Sequence, residues 1–396
     1  MNFFKVASVS DAQERIKTLL RGCRGVEKVS LRDSRGRILA EDIHSQEDVP
    51  NFNKSTVDGY AVVAKDTYGA SESLPTILSN IGRVEMGEEP SFNLEAGQCA
   101  YVPTGGMLPE GSTGVVMVEY SEELEDEAFL HSSVSNGENI IYRGEDIREG
   151  DTILNAGAEM TPENMGALAA AGVMELPVYR KIVFSIISTG DEIRDTSKGI
   201  ETAQVRDINS YTIGASIEKF GGVVDSIAII GDDLDLLKGK IEESFKSSDV
   251  VILSGGSSVG TKDFTLKAIE ELGGEIIIHG ISMKPGKPTI IGRIGEKLVV
   301  GLPGHPVSAT MVFRALFEEA MTGGREIPYR LPLAKDIHST PGRTTYQTVT
   351  IEEGKAVPTY GKSGVISLLS KAFGYIIIPT HKEGYRSDEI VEVYKL

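Results

Sequence analysis

Between residues 181 and 326 the chain alternates short apolar runs with stretches of helical period. Residues 182–188, 223–230, 250–253 and 275–278 read as strands, and 209–220, 234–245 and 264–272 as the helices between them. Two further short strands, 289–291 and 297–300, precede a helix running from 307 to about 321. This alternation predicts a doubly wound, mostly parallel α/β core with helices on both faces of its sheet.

The flanks carry another pattern. Residues 46–145 are rich in Gly, Pro and Ser, with β-type runs at 99–102 and 115–118. The tail from 327 shows runs at 346–351, 375–378 and 390–393 separated by turns. Both predict small antiparallel β domains. Between the first flank and the core, Thr161-Pro162 opens an Ala-rich helix at 160–172 with proline at its first position. Near the N-terminus, Ser10 with Gln13 has the form of a capping box, followed by an apolar side of Ala12, Ile16, Leu19 and Leu20.

At 396 residues the chain is too long for one hydrophobic core, so two to four domains are expected. No apolar run approaches the roughly 18 residues that cross a bilayer, and the N-terminus lacks a basic signal-peptide region. The expectation is a cytoplasmic protein with no membrane partner. A net charge of −18 disfavours nucleic acid, whose binding rests on Lys and Arg against phosphates. The two cysteines, Cys23 and Cys99, have neither metal-ligand spacing nor a disulfide framework.

In an open α/β sheet, ligands bind outside the carboxyl ends of the strands. Three such ends carry Gly-rich loops here: Ser188-Thr189-Gly190-Asp191-Glu192, residues 254–263, and Gly301-Leu302-Pro303-Gly304-His305-Pro306. Lys284-Pro285-Gly286-Lys287-Pro288 sets two cations on a stiff turn, suited to a phosphate or a tetrahedral oxyanion. The acids Asp191, Glu192, Asp232 and Asp263 stand at or near strand ends, where carboxylates beside phosphates imply Mg²⁺. A competing reading is a serine hydrolase. Gly256-Ser257-Ser258-Val259-Gly260 fits the nucleophile-elbow pattern, with His305, His338 or His381 as base. An inert binding or scaffolding module is the third alternative.

Taken together, the motifs resemble those of the molybdopterin molybdenumtransferase family, relatives of the gephyrin E domain, over essentially the whole chain. The resemblance rests on Asp48-Val49-Pro50 with residues 55–62, then Thr104-Gly105-Gly106 with residues 109–119. It continues through Arg143-Gly144-Glu145-Asp146-Ile147, the three core loops and the lysine turn. It implies a mixed helical domain (1–45 plus 146–180), an inserted β-rich domain (46–145), an α/β molybdopterin-binding core (181–326) and a C-terminal β-barrel (327–396). It also implies insertion of molybdate- or tungstate-derived metal into adenylylated molybdopterin with release of AMP, dependent on Mg²⁺. The implied assembly is a homodimer with shared active sites. Carried residue by residue, the resemblance gives catalytic roles to Asp58, Thr104, Asp146, Glu192 and Asp263, and Mg²⁺ to Glu192, Asp232 and Asp263. Substrate contacts fall to Ser254, Gly255, Gly256, Ser258, Gly260, Lys284, Lys287, Pro303, Gly304, His305 and Ser363. Two positions depart from the family pattern: His305 stands where Asn is common, and Val365 where an acid is often found.

Overall fold

The computed structural model describes residues 6–255 and 259–396, with the backbone alone for 259–263. Its contacts divide the chain into two units, Met1–Gly25 with Arg180–Leu396, and Val26–Tyr179.

The first unit opens with helix α1 (Val9–Cys23), and after Arg180 continues as β1 (Val183–Thr189), α2 (Asn209–Lys219), β2 (Val223–Ile230), α3 (Leu234–Ser244) and β3 (Val250–Gly255). Helix α4 (Val259–Glu271), strands β4 (Glu275–His279), β5 (Ile290–Ile294) and β6 (Lys297–Leu302), and helix α5 (Pro306–Thr322) complete the core. The sheet order is β2-β1-β3-β6-β5-β4. The first four strands are mutually parallel, while β5 runs antiparallel to both β6 and β4. The reversal has a local cause. Ile294 pairs directly with Lys297 across a turn whose Gly295 sits at φ +59°, and two residues suffice only for a hairpin.

Burial follows the strand period of two. Phe184, Ile186, Val250 and Ile252 share one face with Ile16, Ile213, Phe313 and Phe317 from α1, α2 and α5. Ile187, Val251 and Leu253 share the other with Leu237, Ile241, Ala268 and Ile269 from α3 and α4. Helix α5 is buried along most of its length, its Phe313 and Phe317 rings stacked 4.7 Å apart. Gly323 ends it in the left-handed conformation, φ +82°.

Several sequence expectations change here. The cap of α1 is Ser8, whose Oγ accepts from Asp11 N at 3.0 Å. No Ser10–Gln13 box forms, because Val9 is already helical and buried, and Gln13 Nε2 instead donates to Ala315 O at 2.7 Å. That apolar face docks α1 on α5, and the helix groups by its contacts with the first unit. Helix α4 begins at Val259, not at 264. Between β1 and α2 the chain makes a parallel ribbon of Ile193–Arg194 with Val205–Arg206.

The tail adds a sheet in the order Met283–Lys284, Thr344–Glu352, Gly374–Ile378, Ile390–Lys395, Tyr329–Pro332, with Lys355–Pro358 paired to Thr344–Glu352. A bridge from Leu333 to Ala356 joins the Tyr329–Pro332 end to Lys355–Pro358.

The second unit holds a six-stranded sheet in the order Gly114–Met117, Gly59–Val62, Gln98–Val102, Thr76–Arg83, Glu127–Leu130, Ser121–Leu124. It is not wholly antiparallel: Thr76–Arg83 and Gln98–Val102 run parallel, with a shift in register after Asn80. A smaller module pairs Val26–Ser30 with Glu175–Tyr179 beside the helix Pro162–Ala170, which Thr161 caps with proline at its start. Leu31, Leu39, Met160, Leu168, Leu176 and Val178 form its core.

Candidate functional site

β1, β3 and β6 are neighbours in the sheet, so their carboxyl ends lie side by side. A pocket of about 250 Å³ opens there, lined by Ser188, Glu192, Ser254, Gly255, Gly304 and His305, among others. That falls below the 300–1,000 Å³ usual for a drug-sized ligand, so it suits one part of a larger substrate. Gly255 shows how tightly the ends of β1 and β3 are apposed: at φ +151°, a Cβ there would stand 1.9 Å from Thr189 O. Pro303 is buried just before Gly304.

A buried polar network underlies the pocket. Asp207, 5% exposed, accepts from Ser188 Oγ at 2.9 Å and from Ser210 N at 3.2 Å. Asn209 Nδ2 donates to Ser254 Oγ at 2.7 Å and to Gly304 O at 2.8 Å. Sequence reading missed both residues, since an Asp-x-Asn before a helix reads as an ordinary cap. At the rim, His305 Nδ1 lies 2.8 Å from Ser363 Oγ, and Val307 N donates to Ser363 O at 3.1 Å. These two bonds bring Ser363 of the tail against the last core loop.

The acids gather at one side. Asp232 N donates to Asp191 Oδ1 at 3.1 Å. The Asp232 carboxyl is held above the usual carboxylate range by burial and by the negative charges of Asp191 and Glu192. Among the described residues no set of three His, Cys, Asp or Glu side chains is disposed around a metal ion. Mg²⁺ needs only one or two protein oxygens when water and phosphate supply the rest, and crowded carboxylates with a raised pKa fit such an ion.

The lysine turn departs from expectation. Lys284 and Lys287 are exposed and do not line the pocket. Lys284 belongs to the tail sheet, where it pairs with Thr345, because Met283–Lys284 extends the edge of Thr344–Glu352. Gly256 and Ser258 lie outside the described residues, as do the side chain of Asp263 and the surroundings of Gly260. His305, one of the candidate bases for the elbow serine, is engaged with Ser363.

In the second unit, Asp58 Oδ1 accepts from Thr104 N at 2.7 Å, which brings two predicted site residues into contact on exposed turns. Asp146 is also exposed, and its backbone N donates to Val49 O at 3.1 Å. Beneath these turns Asp48 accepts from Arg143 Nε at 2.7 Å and Glu149 N at 3.0 Å.

Family models cover nearly all of this architecture. Residues 7–172 match the MoeA N-terminal region (domain I and II), 185–323 a "Probable molybdopterin binding domain", and 330–396 the MoeA C-terminal region (domain IV). A Methanocaldococcus jannaschii protein named for molybdopterin biosynthesis is 35% identical over 97% of this chain and 95% of its own length. The molybdopterin molybdenumtransferase of Bacillus subtilis is 31% identical over 93% and 89%. The crystal structure of a molybdopterin biosynthesis MoeA protein from Pyrococcus horikoshii superposes with a TM-score of 0.80 at 36% identity, covering 99% of each chain. This chain belongs to the MoeA family of molybdopterin molybdenumtransferases.

Proposed function

We propose that this chain is a molybdopterin molybdenumtransferase acting late in molybdenum cofactor biosynthesis. It takes adenylylated molybdopterin and molybdate (or tungstate), places the metal between the dithiolene sulfurs and releases AMP. The observation that carries this reading is the pocket at the carboxyl ends of β1, β3 and β6, where the glycine-bearing loops and Glu192 meet. Backbone N–H groups of such loops favour phosphate, and Ser254 offers a hydroxyl beside them. Lys284 and Lys287 draw the anionic substrates by charge, and His305 with Ser363 borders the oxyanion. Glu192, Asp232 and Asp263 would hold Mg²⁺, which when bound neutralises phosphate charge.

The finer points belong to the same proposal: four domains with boundaries near 45, 145, 180 and 326, a tail sheet closed as a barrel, a cytoplasmic location, and a homodimer whose sites each draw on both copies. Asp58, Thr104 and Asp146 are then contributed to a neighbouring copy's site. Co-expression tests this. Homodimers of Asp58→Ala and of Glu192→Ala should each be nearly inactive, whereas verified mixed dimers should recover one working site. Mixed dimers without activity would refute sharing.

The metal assignment is tested by titration. Glu192→Gln keeps shape but loses charge, so AMP release should require roughly ten-fold more Mg²⁺, while Lys287→Ala should raise the molybdate or nucleotide requirement by about ten- to a hundred-fold. An unchanged Mg²⁺ titration for Glu192→Gln would remove that residue from the metal site.

A further inference from the structure

Asp207 and Ile208 join the Val205–Arg206 strand to α2, whose first residue is Asn209, and none of the three carries a ligand signal in the sequence. We infer that Asn209 is a positioning residue of the pocket: it ties the carboxyl end of β3 to the loop after β6 and, among the described residues, leaves the Ser254 hydroxyl hydrogen free for the bound substrate. The inference rests on reading this pocket as the substrate site.

A carboxamide offers two N–H donors and one acceptor oxygen. Gly304 O can only accept, so the amide atom 2.8 Å from it is Nδ2, and the side chain has one orientation. The second Nδ2 hydrogen goes to Ser254 Oγ at 2.7 Å. Ser254 Oγ is thus an acceptor in that bond, and its own hydrogen is left to donate, on a residue that lines the pocket and is 2% exposed.

Asn209 achieves this at its own expense. It is 8% exposed, yet its Oδ1 has no hydrogen-bond partner among the described residues. Leaving a buried acceptor unpaired costs free energy, and here the unpaired atom belongs to a residue that itself lines the pocket. Such local violations concentrate where function overrides stability. Asp207 acts in parallel on the first loop, through Ser188 Oγ. The two side chains therefore tie three adjacent strand ends to the start of α2.

The test uses the full-length protein and two readouts. Asn209→Asp is isosteric, but a carboxylate cannot donate to Gly304 O and would draw the Ser254 hydrogen to itself. KM for adenylylated molybdopterin should rise about ten-fold or more, with kcat falling by less than about three-fold. Deuterium exchange should quicken in peptides spanning the ends of β3 and β6. Because a buried charge can also unfold the unit, Asn209→Ala and Ser254→Ala are combined in a double-mutant cycle. If Asn209 acts through Ser254, the double variant's KM increase should fall well short of the product of the two single increases. An unchanged KM, with or without faster exchange, overturns the inference, as does a multiplicative cycle. If the wild-type protein releases no AMP, the transferase reading itself falls. The clamp is then judged on exchange alone: it stands if Asn209→Asp loosens the ends of both β3 and β6 and falls otherwise.

Discussion

Single side chains in this protein divide into those that hold turns and those left free for chemistry. Asp48 is a holder. Its carboxyl lies below the usual carboxylate range because Glu149 N and Arg143 donate to it. A carboxylate whose folded pKa is depressed stabilises above its unfolded pKa, and that contribution is lost as pH falls through the folded value. Thermal melts from pH 7 down to about 2 should therefore show Asp48→Asn less stable at neutral pH, with the gap to wild type closing in acid. A gap independent of pH would mean that the bonds, not the charge, matter. Ser258 tests the opposite category. If the Gly-rich loop cradles phosphate, a fluorophosphonate probe should leave Ser258 unlabelled and Ser258→Ala should keep much of the activity. Stoichiometric labelling would restore the hydrolase reading.

At the scale of elements, the core was legible because burial imposes a period that sequence displays. Val250 to Leu253 alternate faces as a strand should, and α5 was visible as a long apolar stretch ending at Gly323. What escaped was set by contacts distant in sequence. The start of α1 at Ser8 depends on docking against α5, and Lys284 joins the tail sheet through Thr345, some 60 residues on. The Asp207 and Asn209 network was invisible for the same reason, since its partners sit at three separate strand ends. The loops themselves were readable because glycine marks positions no other residue can fill. Gly255 makes this testable. Gly255→Ala would force a Cβ to 1.9 Å from the Thr189 backbone oxygen, which cannot swing aside. A cost of about 2 kcal/mol or more follows, lowering Tm by roughly 4 °C or more, with activity lost through the displaced loop. A Tm unchanged from wild type would show that the two strand ends separate easily.

The whole molecule comprises a unit built on a helix-covered sheet, whose strand ends form the pocket, and a second unit bearing the exposed pair Asp58 and Thr104. The family models match both units, over residues 7–172, 185–323 and 330–396. The central claim concerns turnover. Purified protein incubated with adenylylated molybdopterin, Mg²⁺ and molybdate should release AMP in step with metal-loaded cofactor, and omission of molybdate or Glu192→Gln should suppress that release. AMP formation that ignores molybdate, or none with wild-type protein and intact substrate, would contradict the account.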